Sequence, residues 1–191
     1  MNVKDSFKFF ALIGIVFVVM FFVSCKDKKI EDKKQIKIVT TIFPEYDFMR
    51  QLTSGVDDVE VLMLSPPGVD IHSFEPTPKN MIDIKNANMF IYQGGKNDKW
   101  VEKILASTEK GNCVTVSLVE TLSRYRDIEE DLKNHDGDAH LWTSPLNCMR
   151  IVEYLGEKLC DLDEKNSSKY MENMNIYIDD GKSSNLMHCH I

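Results

Sequence analysis

Between Ile36 and Ser117 the chain alternates two apolar patterns. Short runs rich in β-branched residues, IKIVTTIF, VEVLML, MFIY and CVTVS, are separated by stretches that read as amphipathic helices. PEYDFMRQLTSG reads as a helix with Pro44 in its first turn and Gly55 after its end. Thr77 and Pro78 supply a cap and first turn for KNMIDIKNA, and DKWVEKILAS is the next helix. The resulting βαβαβαβ order predicts an α/β fold: a parallel sheet covered by helices on both faces. From Arg124 to Asp138 the periodicity is lost, which predicts a surface loop. Ser144 and Pro145 then open a long helix whose apolar residues, Met149, Val152, Leu155 and Leu159, recur at helical steps. That pattern resumes after Asp161 through Tyr170 and Tyr177, and no internal repeat is visible.

The N-terminus carries a different pattern. Lys4 and Lys8 precede an unbroken apolar run from Phe9 to Val23, followed by Ser24 and Cys25. The run is short of the roughly 20 apolar residues that a bilayer span needs, so residues 1–24 read as a signal peptide. FVSC resembles the bacterial lipobox, which makes Cys25 the expected lipidation site and first mature residue. Residues 25–35, with KDKKIEDKKQ from Lys26 to Gln35, are too charged to bury a core and read as a solvated tether.

Charge narrows the partners. The chain holds 23 Lys and Arg against 30 Asp and Glu, a formal net charge of −7, and removing residues 1–24 makes it −8 because Lys4, Lys8 and Asp5 are lost. An acidic balance argues against nucleic acid, whose recognition needs clustered Lys and Arg, and it suits a protein that attracts cations.

Two histidines stand in positions where chemistry is expected. His72, in GVDIHSFEPTP, follows the VEVLML strand, and His140, in DAHLWTSP, precedes the Ser144 helix. In open α/β sheets, ligands bind beyond the carboxyl ends of the strands, so the topology brings both toward one rim. Neutral imidazole is a preferred ligand for zinc and related divalent ions.

GVDIHSFEPTP, IYQGGKNDKWVEKIL and DAHLWTSPLN, in that order, resemble the metal-specific substrate-binding lipoproteins of bacterial ABC transporters, especially the zinc-uptake members. The resemblance runs from about Ile36 to Tyr177. It implies two α/β lobes joined by a long helix, with His72 and His140 as metal ligands from the first lobe. Residues 36–143 are then the N-terminal metal-binding lobe and residues 144–180 the connecting helix region. The implied function is capture of Zn2+, with Mn2+ as the alternative, for delivery to an ABC permease. The implied location is the bacterial cell envelope, lipid-anchored to the membrane and facing the extracytoplasmic side. The third and fourth ligands come from the second lobe in that family, and this lobe is expected to be missing here. Residues 181–191 form an atypical tail whose ending, GKSSNLMHCHI, suits a frameshift, a premature stop or a truncated gene model, with impaired binding as the consequence. A surface lipoprotein acting as an adhesin is the alternative function.

The remaining candidates carry less. His135 stands in the acidic loop, where a solvated role is expected, and the HCH run His188, Cys189 and His190 has nothing to orient it. Asp70 and Glu75 flank His72 and are candidates for orienting its ring, or for plain surface and capping roles. Ile71 stands where some zinc members place an acidic residue. Cys148 and Cys160 fall twelve residues apart on one helix, about 18 Å at 1.5 Å per residue, too far to bridge, and Cys113 is expected to pack as a small apolar group. An enzyme is not expected, since HExxH, GxSxG, P-loop and GxGxxG motifs are all absent from the sequence.

Overall fold

The computed structural model describes residues 35–66, 68–69, 74–107, 112–125 and 141–183. Strand β1 (Ile36–Thr40) leads into helix α1 (Phe43–Leu52), then β2 (Val59–Met63), α2 (Pro78–Lys85) and β3 (Met89–Tyr92). A 3-10 turn at Gly95–Asp98 runs into α3 (Lys99–Ser107), followed by β4 (Val114–Ser117) and a short α4 (Leu118–Leu122). A second 3-10 turn, Leu141–Thr143, precedes α5 (Pro145–Leu162), and a third, Glu164–Asn166, precedes α6 (Ser167–Ser183).

The four strands form one parallel sheet in the order β2-β1-β3-β4. Ile38 stands opposite Val61 on one side and Met89 on the other. The continuous apolar runs follow from this geometry, because a parallel sheet is buried on both faces. Successive side chains of β1 and β3 enter different cores. Ile38, Met89 and Ile91 pack with α1, α4, α5 and α6, whereas Val39 and Phe90 pack with α2 and α3. The edge strand β2 is half-buried throughout, as one free edge requires.

The predicted strands and helices appear in the predicted order. Thr77 caps α2 as expected: its hydroxyl accepts from the Asn80 N–H, and Asn80 Oδ1 accepts from the Thr77 N–H at 2.8 Å. Two features differ from the sequence reading. The short helix α4 starts directly after β4, with Ser117 accepting from the Glu120 N–H. The helix predicted from Ser144 ends at Leu162, and the pattern that resumes after Asp161 forms α6, which turns back along α5 instead of extending it. Gly156 lets the two helices approach, because a side chain there would meet Met174. The Tyr170 hydroxyl donates to Asp163 at the turn, and Asn173 Nδ2 donates to the Leu52 and Ser54 carbonyls at the end of α1. Of the predicted stripe on α5, Val152, Leu155 and Leu159 are buried together with Cys148 and Ile151, and Met149 is only half-buried.

No helix among the described residues is long and apolar enough to cross a membrane. Residues 1–34, with the predicted signal peptide, Cys25 and most of the tether, lie outside the described residues. So do 126–140, which hold His135 and the acidic stretch, and 184–191, which hold the HCH run.

Candidate metal-binding edge

All four strands point their carboxyl ends the same way, so every strand-to-helix connection opens on one edge. His72 belongs to the connection after β2, within residues 70–73, and His140 ends the segment 126–140; both lie outside the described residues, as does Asp70. Described chain neighbours of both border one groove. Gly68 and Val69, shortly before His72, and Trp142, two residues after His140, line one groove of about 790 Å³ together with Phe43, Tyr46 and Met63. The groove is predominantly apolar and opens between the first turn of α1 and the edge strand β2.

Local forces hold both approaches to it. Before His72, the Val69 N–H donates to the Pro66 carbonyl at 3.2 Å, and Gly68 takes φ +82°, a left-handed conformation that suits glycine. After it, Phe74 packs edge-on to Trp100 at 5.9 Å. Beyond His140, Leu141 is buried, and two side chains from the first turn of α5 fix the backbone: Asn147 Nδ2 donates to the Leu141 carbonyl and Cys148 Sγ to that of Trp142. Glu75 is exposed and lines a smaller pocket of about 520 Å³ with Phe74 and Asn80. Among the described residues, no group of three or more His, Cys, Asp or Glu converges to hold a metal.

The strand order marks a second feature that the sequence did not reveal. From β1 the chain moves to one side, to β2, and from β3 to the other, to β4, so the topological switch point lies between β1 and β3. There the connections bring together Thr41 and Glu45 after β1, and Gln93, Gly94 and Asp98 after β3. Glu45 is fully buried, and its Oε2 accepts from the Thr41 N–H and hydroxyl, both at 2.8 Å, and from the Ile42 N–H at 3.2 Å. Its Oε1 is buried with no hydrogen-bond partner. Burial pushes the Glu45 carboxyl up to about 8, the Thr41 bond opposes this, and the Asp98 charge adds to it.

Asp98 accepts from the Gly94 N–H at 2.8 Å, and burial raises its carboxyl too. Gly94 has φ +87°, and a Cβ there would collide with Ser117 Oγ of the neighbouring strand. The tight β3 turn therefore requires glycine. In sequence, Glu45 reads only as an acidic residue in a first helical turn, and Asp98 as the first residue of the DKWVEKILAS helix. Neither signal conveys burial.

The described cysteines behave as expected. Cys113, Cys148 and Cys160 take part in no disulfide among the described residues; Cys113 packs half-buried against the smaller core, and Cys148 and Cys160 lie on α5.

Comparison with known proteins fits this geometry. The family described as zinc-uptake complex component A, periplasmic, matches residues 38–183. Zinc-binding lipoprotein AdcA of Streptococcus pneumoniae is 29% identical over 171 residues, covering 81% of this chain and 34% of that protein. High-affinity zinc uptake system protein ZnuA of Bacillus subtilis is 29% identical over 153 residues, covering 75% of this chain and 47% of that protein. The crystal structure of the Zn(II)-bound ZnuA-like domain of S. pneumoniae AdcA matches with a TM-score of 0.65 at 26% identity, covering 78% of this chain and 52% of that one. The chain thus spans between about a third and a half of the length of the relatives it matches.

Proposed function

This chain belongs to the zinc-uptake complex component A family, and from that membership we propose that it is the substrate-binding part of a bacterial ABC transporter for a divalent cation. Zn2+ is the favoured cargo, since the relatives above are named for zinc, and Mn2+ is the alternative. His72 and His140 donate imidazole nitrogen to the ion from the connections that follow β2 and precede α5. The process is capture and release, in which no bond of a substrate is made or broken. The ion passes to the permease of the same system. Cys25 carries the lipid that holds the chain on the extracytoplasmic side of the envelope, as the name of the AdcA relative supports.

One observation carries the ligand assignment: the described neighbours of both histidines line a single groove at the carboxyl edge of the sheet, although 68 positions separate the two. Zinc titration of the full chain beside His72→Ala and His140→Ala tests it. Losing even an outer-shell partner of a metal costs about 10–100-fold in affinity, so each variant is expected to weaken binding at least tenfold. Two folded variants that bind zinc as the unaltered chain does would remove both histidines from the site.

A further inference from the structure

We propose that the Glu45 carboxyl is a buried proton site at the switch point between β1 and β3, and that capture of a divalent cation at this sheet edge expels its proton. The linkage rests on the capture reading above; the proton site rests on geometry. One carboxyl oxygen of Glu45 takes three donors, while the other is buried with no hydrogen-bond partner. A charged oxygen left bare in the interior is strongly disfavoured, and a proton on Oε1 removes that charge. Among the described residues, Asp98, from the turn after β3, is the charged group that acts on Glu45, and it opposes ionisation. Toward α6 the helix α1 turns an apolar face, with Phe48 edge-on to Tyr177 at 6.0 Å. Burial and Asp98 together hold the carboxyl at about 8, so it is mostly protonated at neutral pH.

A doubly charged ion arriving at the same edge reverses the balance, because its field through a low-dielectric interior favours the carboxylate. The O–H bond at Oε1 then breaks with its electron pair remaining on oxygen, and the proton passes to solvent. No electron changes hands. Capture therefore strengthens as pH rises toward about 8 and levels off above it. An ordinary histidine, titrating near 6.5, would level off earlier.

Infrared spectroscopy of the full chain, with and without saturating zinc, tests the proposal alongside calorimetry of the same preparations in two buffers of different ionisation enthalpy. The expected result is a carboxylic-acid carbonyl band in the zinc-free chain at neutral pH that is absent from Glu45→Gln. It should fade with a midpoint near 8, and fade at neutral pH when zinc is added. Calorimetry should count about one more proton released per ion than in Glu45→Gln. If that variant does not fold, Asp98→Asn serves, and the midpoint should move down because a repelling charge is gone. No such band in the zinc-free chain, or a band untouched while calorimetry shows zinc bound, overturns the proposal. A band that persists with no zinc uptake overturns the capture reading and the linkage with it, which separates the two failures.

Discussion

A carboxyl that stays neutral in the fold and ionises in the unfolded chain makes stability fall as pH rises. Glu45 is raised from 4.5 to about 8 by burial, so between those values the folded state holds a proton that the unfolded state has released. Its contribution is full below about 4.5 and lost through about 8, at most roughly 5 kcal/mol. Asp83 behaves in the opposite sense. Its bonds to Lys37 and Lys79 lower its carboxyl, so its contribution is present above the unfolded value and lost in acid. Glu45→Gln should remove the alkaline decline, and denaturant unfolding of both proteins across about pH 5 to 9 measures it. Parallel stability curves would mean that Glu45 is charged in the fold. The histidine motifs were legible in the sequence because each stands in a long, ordered context after a recognisable strand or before a recognisable helix. Glu45 and Asp98 were not, because their meeting depends on β1 lying beside β3, and adjacency in space is not written in the order of elements.

Elements were legible where one pattern ran cleanly between punctuation. The β-branched runs bounded by Pro, Gly and Asn became the four strands, and Thr77–Pro78 opened α2 as its cap chemistry dictates. The pause in the apolar pattern at Asp161 and its resumption through Tyr170, which is fully buried, mark the break between α5 and α6, but not that α6 turns back. What ends α5 is polar: Asp163 accepts from Asn166 Nδ2 at 2.7 Å and from the Tyr170 hydroxyl at 2.8 Å. The five-residue α4 was too short to show a period. Since α6 is fastened to α1 by the two bonds from Asn173, the helix that holds Glu45 at its start is held by α6 at its end. Asn173→Ala leaves two carbonyls without that donor and should cost about 1–2 kcal/mol, a drop in Tm of roughly 2–6 °C. A thermal scan beside Asn175→Ala, an exposed site on the same helix, reads the difference. Equal melting of the two variants would leave the clamp without energetic weight.

At the scale of the molecule, two consequences follow from the proposed role. Cys25→Ala should leave the precursor unprocessed and shift the chain out of lipid-anchored membrane fractions, and unchanged fractionation and migration would set the lipobox reading aside. The second concerns affinity. A closed zinc site takes about four protein ligands, or three with water, whereas this chain offers two proposed donors, His72 and His140. The ZnuA-like domain of S. pneumoniae AdcA, which is Zn(II)-bound, is about twice as long as the part matched here. With those two donors alone, water would fill the remaining positions on the ion, and the groove is open, with Phe43 and Val69 each about 40% exposed. Fewer ligands and less preorganisation weaken binding, and apolar surface of this kind promotes association. At tenfold or more for each protein donor replaced by water, zinc affinity of a polypeptide of residues 1–191 should lie at least about a hundredfold below that of the longer domain. Side-by-side calorimetric titrations, with sedimentation to follow self-association, decide the matter: equally tight one-to-one binding by both would show that the donors within residues 1–191 suffice and that two histidines are not the whole of the site.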